Sequence, residues 1–239
     1  MYTLFISDLH LDVSRPELTA IFLHLLATQA KQADALYILG DFFEIWLGDD
    51  VQSDFTQTIS NALKALIDSG VPVYLMHGNR DFLIGQHFAS QSGCQLLPDP
   101  TVINLYGTPV LLMHGDTLCW KDTQYQRFRR IARNPLYQRL FLALPLFIRR
   151  SIGQYLRSQS SHKACSATLK LSDATEDAIT QALQINQTKL LIHGHTHRPS
   201  IHLNFPSPAF QKVVLSDWEN QGNALIYSSD HTYRLTYFE

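Results

Sequence analysis

Thr3-Leu4-Phe5-Ile6-Ser7-Asp8-Leu9-His10 decides the fold: an apolar, β-prone run passes directly into an acid and a histidine two positions apart. The same design returns in YILGD (37–41), YLMHGNRD (74–81), LLMHGD (111–116) and LLIHGHTH (190–197). Amphipathic stretches over about 16–33 and 54–69 separate the first three runs, which is the alternation of βαβ units and hence of an α/β fold. In an open α/β sheet the carboxyl ends of the strands line one crevice. Asp8, His10, Asp41, Asn79, His114, His195 and His197 are therefore expected to converge although they span most of the chain.

The rest of the pattern fills in around these runs. A short helix is expected over 81–91, and TVINLY (101–106) and TPVLLMHG (108–115) read as a hairpin turning at Tyr106-Gly107. Polar, basic helical sequence fills about 122–170, and a further helix near 175–186 leads into the last histidine cluster. Four alternating runs, separated by turn residues such as Pro206, Gly222 and Asp230, close the chain and read as a second sheet packed on the first. Repeats, low-complexity tracts and Ser/Gly-rich linkers are missing, so residues 1–239 read as one domain with an insertion at about 122–170. A chain of 239 residues, 45% hydrophobic, can bury the core this requires.

Charge is segregated. The chain carries a net −2, yet Lys121 to Lys170 holds eleven Lys or Arg against Asp122 alone, +10 locally and −12 elsewhere. That excess predicts a basic surface facing something anionic, or more plainly a solvated helical face. The longest apolar run, Leu140 to Ile148, is interrupted by Pro145 and is too short for the roughly 20 residues of a bilayer span. Flanked by Arg139, Arg149 and Arg150, it suits either a lipid interface or a buried helix. Cys94, Cys119 and Cys165 form an odd set without a CxxC pair, which points to a reducing compartment, and the opening residues lack the features of a signal peptide.

Singly, each strand-end cluster reads as ordinary hydrogen bonding. Together they supply imidazole, carboxylate and amide oxygen with no thiolate, a set that suits manganese, iron or zinc. Seven donors are too many for one ion and fit two ions sharing a carboxylate, the arrangement used in phosphoryl chemistry. Gly40, Gly78, Gly115 and Gly194, each beside a ligand, are expected to make sharp turns. Glu44, Asp49 and Asp50 read as a solvated turn or as supports behind the ligands, and Asp116 as a residue that orients His114 or packs its turn.

In order, Asp-x-His, Gly-Asp, Gly-Asn-Arg-Asp, His and Gly-His-x-His resemble the series of the calcineurin-like metallophosphoesterases, which usually carry His where this chain has Arg80. The longer stretches FISDLHLD (5–12), ALYILGDFFEIWLGDD (35–50), HGNRDFLIG (77–85), VLLMHGDTLC (110–119) and LIHGHTHRP (191–199) are similar to the UDP-2,3-diacylglucosamine diphosphatases of lipid A biosynthesis. The resemblance implies two packed mixed β-sheets flanked by helices, an α/β/β/α sandwich, with the insertion as a lid for acyl chains. It implies hydrolysis of UDP-2,3-diacylglucosamine to 2,3-diacylglucosamine 1-phosphate (lipid X) and UMP, with metal-activated water attacking the uridine-side phosphorus. Two manganese ions, cytoplasmic residence with peripheral attachment to the anionic inner-membrane surface, and no nucleic-acid or obligate protein partner come with it.

Carried over residue by residue, the resemblance gives one ion Asp8, His10, Asp41 and His197, and the other Asp41, Asn79, His114 and His195, with Asp41 as the bridge. It selects His195 and His197 over His193, whose spacing from His195 is the same. Catalytic roles fall to Asp41, Asn79, Arg80, His114 and His195, and substrate contacts to Asn79, Arg80, Asp122, Ser160 and His195. Ala164 and Ala167 stand where relatives often have a polar residue and a lysine, and Lys163 is a neighbouring cation if the helix register differs. Arg80 suits a pyrophosphate: the departing phosphate monoester, with a second pKa near about 6, needs no proton, and a guanidinium can grip its oxygens. An Arg80–Asp81 surface ion pair is the plainer reading. Two other functions are compatible with the pattern: a metal-dependent nuclease or nucleotide phosphodiesterase that uses the basic insertion, and a non-catalytic interaction module.

Overall fold

The computed structural model describes residues 1–164, 173–219 and 221–238, with the backbone alone over 159–164. The opening run is β1 (Tyr2–Ile6), parallel to β2 (Ala35–Leu39), with β3 (Val73–Met76) and β4 (Gln95–Leu97) continuing the sheet in parallel. Successive side chains point to opposite faces of a strand, so these short runs feed two cores at once. Leu4, Ile6, Leu36 and Ile38 pack against α1 (Pro16–Ala27), α2 (Asp54–Asp68) and α3 (Gln86–Ser92), while Phe5, Tyr37, Leu39 and Met76 face a second sheet.

That second sheet is built from β5 (Thr101–Leu105), β6 (Thr108–Met113), β7 (Leu190–His193), β8 (Ser200–His202) and β9 (Gln211–Val214), in the spatial order β5-β6-β7-β9-β8. Leu111, Met113 and Leu191 on its outer face pack against Ala178, Ile179 and Leu183 of α7 (Glu176–Ile185). The layers are therefore helix, sheet, sheet, helix. Tyr106 and Gly107 both have positive φ, at 51° and 96°, as a two-residue hairpin turn requires.

Three expectations are corrected. The closing strands β10 (Gly222–Ser228) and β11 (Tyr233–Phe238) join the first sheet, antiparallel along the other edge of β1, instead of the second. Strand-like alternation does not specify which sheet a strand enters. The helix expected over 81–91 starts only at Gln86, because Asp81 is buried and accepts from Phe42 N and Gly78 N, both at 2.7 Å. α1 stops at Ala27 and a separate 3-10 turn follows over Ala30–Gln32.

The insertion contains three helices: α4 (Thr123–Ala132), α5 (Pro135–Leu142) and α6 (Leu146–Ala164). Asp122 caps the first, Asn134 caps the second ahead of Pro135 at its first turn, and Pro145 precedes the third. Their described residues belong to none of the three buried apolar clusters. Part of the expected basic surface is directed inward: Arg129 pairs with Asp116, Arg133 donates to Gly78 O, buried Arg149 pairs with Asp50, and Arg157 pairs with Glu44. Cys94 and Cys119 are buried, as apolar residues would be; Cys165 lies outside the described residues.

The strand ends approach one another closely. Gly40 and Gly115 make the expected turns, with φ of 90° and 119°, but Gly78 and Gly194 are small for a different reason. A Cβ on Gly78 would lie 2.1 Å from Asp41 N and Oδ1, and one on Gly194 would lie 2.2 Å from Asp8 Oδ2. Gly78→Ala should therefore displace Asp41 as well as strain the core. Overpacking costs about 1–3 kcal/mol, so thermal unfolding should shift down by roughly 2–10 °C for a chain of this size, together with loss of activity. An unchanged melting temperature would show that the strand ends can move apart.

Candidate metal centre

Five of the eight described non-glycine residues with positive φ are proposed ligands: Asp8 (54°), His10 (49°), Asp41 (49°), His195 (66°) and His197 (53°). The left-handed region is uncommon for side-chain-bearing residues, though Asp and His enter it more readily than most, and it turns consecutive side chains out of the strand direction. Backbone hydrogen bonds hold these turns: Asp8 N donates to Gly40 O and His10 N to Asp41 O, each at 3.0 Å, and Gly194 N to His114 O at 2.9 Å.

The result is two trios, Asp8 with His10 and His197, and Asp41 with His114 and His195, each with one ligand atom per residue all within 4.8 Å of one another. Asp41 stands between them. Its Oδ2 is 4.0 Å from His10 Nε2 and its Oδ1 is 3.8 Å from His114 Nε2, so each oxygen faces one trio. Asn79 joins the second trio, its Oδ1 3.0 Å from His114 Nε2. All seven expected ligands are thus brought together, in the expected grouping.

The groups behind the imidazoles fix which nitrogen faces inward. His114 Nδ1 lies 2.8 Å from Leu39 O, His10 Nδ1 3.2 Å from Glu44 Oε2, and His197 Nδ1 3.1 Å from Asp217 Oδ2. Each Nε2 is then left as the inward donor, the usual outer-shell arrangement of metal-bound histidine. Asp8 Oδ2 accepts from Ser7 Oγ (2.6 Å) and His195 N (2.9 Å), leaving buried Oδ1 without a hydrogen-bond partner among the described residues. Both ring nitrogens of His10 are buried without a hydrogen-bond partner among the described residues, Nδ1 meeting Glu44 only as an ion-pair contact. With Nδ1–H donating to Leu39 O, His114 Nε2 meets the amide oxygen of Asn79 at 3.0 Å and needs a positive partner there, either a proton of its own or a cation. A divalent ion that displaced that proton would bind both the imidazole nitrogen and the amide oxygen. The residues present fit a pair of divalent ions.

Electrostatics agree. Burial opposes charge on His114, but the carboxylates of Asp41, Asp8 and Asp116 raise its pKa to about 9. Against burial again, Asp217 and Asp8 raise His197 to about 10. Burial and the neighbouring His114 push His195 down to about 3. Asp41 is raised by burial in spite of His114 and His10. A site that holds extra protons on some imidazoles while resisting a bare carboxylate is one that favours cations.

His193 stays out of both trios: it is fully buried, its Nδ1 is 2.9 Å from Gly194 O, and burial lowers its pKa to about 4. Arg80 lies beside the centre, its Nε 3.8 Å from Asp41 Oδ2 and its Nη1 2.5 Å from Glu44 Oε1. The Arg80–Asp81 surface pair is overturned, since Asp81 is buried and spent on backbone amides. Glu44 supports His10, whereas Asp49 accepts from Trp46 Nε1, Gly85 N and Phe88 N, so neither lies in a solvated turn. Asp116 does more than pack a turn, accepting from Tyr125 Oη and from Arg129 Nε (2.7 Å). Asp122 is used to cap α4 through Tyr125 N at 2.9 Å, and among the described residues no hydrogen bond or ion pair joins it to the trios. The side chains of Ser160, Lys163 and Ala164, and the whole of Ala167, lie outside the described residues. Asp217 was missed, although KVVLSD (212–217) repeats the apolar-run-then-acid signal of the other strand ends.

The model of the calcineurin-like phosphoesterase family matches residues 1–199. The chain belongs to this family. Proteins named UDP-2,3-diacylglucosamine hydrolase match it closely: one from Stutzerimonas stutzeri is 51% identical over 93% of both chains, and one from Shigella sonnei 49% identical over 96% of both. A solved archaeal phosphodiesterase superposes with a TM-score of 0.54 at 10% identity over the full length of both chains, which speaks to the shared phosphoesterase fold alone.

Two measurements probe this phosphoesterase centre. Asp41→Ala should lower metal content at both positions and abolish turnover, His197→Ala should empty mainly one position, and His193→Ala should keep both; elemental analysis of purified protein decides, and full occupancy in Asp41→Ala would remove the bridge. Asp217→Asn should weaken metal binding about 10- to 100-fold, the usual effect of losing an outer-shell partner. Metal titration that matches the wild type would leave Asp217 a bystander.

Proposed function

We propose that the chain hydrolyses the pyrophosphate bond of UDP-2,3-diacylglucosamine to give 2,3-diacylglucosamine 1-phosphate and UMP, as a hydrolase of lipid A biosynthesis. The observation that carries this reading is Asp41, with one oxygen towards each trio and Arg80 3.8 Å away. Asp8, His10, Asp41 and His197 would hold one ion, and Asp41, Asn79, His114 and His195 the other. Manganese is the proposed metal, in keeping with nitrogen and oxygen donors and no thiolate. When bound, two such ions activate water and neutralise phosphate charge.

The chain's own groups supply the rest. Water adds to the uridine-side phosphorus, the bridging P–O bond breaks, and the electron pair leaves on the sugar 1-phosphate. Arg80 now shares Glu44 Oε1 with Arg157 Nε, at 2.5 and 3.0 Å. An incoming phosphate offers more oxygens in a geometry that matches the guanidinium fork. Asn79 and His195 hold phosphate at the same edge, with Asp122 and Ser160 as further proposed substrate contacts.

Residues 1–239 are proposed to form one phosphoesterase domain, with α4 to α6 as the cover for the acyl chains. Phe128, Ile131, Leu136, Tyr137, Leu140 and Phe147 are exposed on it, close in sequence to the exposed cations Arg130, Arg139 and Arg150. Of the apolar side chains expected to face lipid, Leu140 and Phe147 are exposed by 58% and 69%, and Phe141 and Leu144 are half-buried. Cations beside apolar surface favour an anionic membrane face over a nucleic-acid groove. Among the described residues no helix is long and apolar enough to cross a bilayer. Peripheral attachment to the cytoplasmic face of the inner membrane is the proposed location, supported by those cations beside apolar side chains.

Arg80→His should lower hydrolysis of the UDP-lipid by at least about tenfold, in line with loss of a charge-assisted bond worth about 1.5–3 kcal/mol, without creating a good phosphomonoesterase. Rates on both substrate types test this, and unchanged pyrophosphatase activity would free Arg80 of any catalytic role. Removing the acyl chains should also cost much activity, because remote binding energy contributes to the transition state. The comparison is turnover of the diacylated substrate, UDP-glucosamine and single-stranded DNA under one set of conditions. A deacylated sugar nucleotide that reacts as fast as the lipid would sink the acyl-chain reading.

A further inference from the structure

One face of α4 is occupied by contacts with the metal-ligand loops. Tyr125, Arg129 and Arg133 recur every four residues and so project from the same side of the helix. Tyr125 donates its hydroxyl to Asp116 Oδ2, and its ring stacks on the His195 imidazole at 6.2 Å between centroids. Arg129 Nε donates to the same Asp116 oxygen at 2.7 Å, and its Nη2 lies 3.6 Å from Asp99 Oδ2. Gln126 donates from Nε2 to Asp116 O at 2.8 Å. One turn further on, Arg133 donates to Gly78 O at 2.8 Å and stands over the Phe82 ring. α4 thus touches the loop after β6, the loop after β7 and the loop after β3, which carry His114, His195 and Asn79.

These contacts are not those of a loosely placed cover. Asp116 is completely buried two residues after His114, and the Arg129 side chain opposite it is only 19% exposed. A buried carboxylate with two charge-assisted or hydroxyl donors on one oxygen fixes their relative positions far better than an exposed pair does. None of this is needed to contain an acyl chain.

We propose that α4 is a fixed wall of the metal centre, latched to Asp116 by Tyr125 and Arg129, and that these three are positioning residues for His114, Asn79 and His195. Substrate covering then falls to α5, α6 and the outward side of α4 that bears Phe128 and Ile131. The proposal rests on the two-ion reading of the trios, but its test does not depend on the substrate.

Mn²⁺ titration of the full chain, with free ion followed by electron paramagnetic resonance, would compare the wild type with Tyr125→Phe, Arg129→Lys and Arg127→Gln. Tyr125→Phe keeps the ring and removes only the hydroxyl, Arg129→Lys keeps the charge, and Arg127 is exposed on the same helix. Both latch variants should bind Mn²⁺ about 10- to 100-fold more weakly at one of two sites, as outer-shell changes do, and Arg127→Gln should match the wild type. On UDP-2,3-diacylglucosamine at saturating Mn²⁺ the latch variants should lose kcat with KM nearly unchanged. Wild-type metal affinity in both latch variants, or a rise in KM at constant kcat, would overturn the latch and return α4 to the lid. Wild-type protein that binds no Mn²⁺ would instead remove the two-ion reading, and the latch with it.

Discussion

The shared carboxylate of Asp41 is the constraint around which the site is arranged. It is buried, it ends the strand that lies between β1 and β3, and each of its oxygens faces a different trio. Gly78 has no side chain because one would strike it, and Arg80 N donates to its Oδ1 at 2.8 Å. Taking a carboxylate out of water costs several kcal/mol unless it is paired. The raised pKa of Asp41 shows burial outweighing the two imidazoles that favour its charge. Divalent cations, often the largest local charges in a site, would reverse that balance, and the donors are sensible as a set.

The backbone is held against its own preferences to make that set. Left-handed residues cost on the order of 1–3 kcal/mol each, and five of them approach the whole net stability of a domain, about 5–15 kcal/mol. Only a scaffold that over-determines each turn can keep them. Here the β1–β2 pairing continues past the strand ends through Asp8, His10 and Leu11, and Asp8 Oδ2 reaches across to accept from His195 N, tying the end of the first sheet to the end of the second. The two cores bring the sheets close enough for this link, so packing far from the site determines its geometry.

Much of this was legible in the sequence, because an apolar run ending in Asp or His states both a strand and what lies at its end. All seven candidate ligands, which the structure brings together, were picked out that way, and their grouping into two sets followed from the resemblance. What was not legible has physical reasons. Alternation marks β10 and β11 as strands but cannot say that β10 pairs with β1. A charge count cannot say which arginines turn inward, and Arg129, Arg133 and Arg149 do so to meet partners distant in sequence or backbone oxygens that no motif marks. Asp217 was within reach of the same strand-end pattern, but a lone acid after an apolar run carries little weight without the histidine beside it.

The insertion has to serve two demands that conflict. Chemistry at a pyrophosphate requires side chains held within about 0.5 Å of their working positions, which calls for buried, hydrogen-bonded contacts of the kind α4 makes with Asp116 and Gly78. Apolar chains require exposed hydrocarbon surface with few directional contacts, and the outward residues of α5 and the start of α6 supply that. A single uninterrupted helix over 122–164 would force both tasks onto one rigid element. Asn134-Pro135 and Pro145 divide the segment where the character of its surface changes. On the proposed reading those prolines separate the part of the insertion that is latched to the metal centre from the part that serves mainly the lipid.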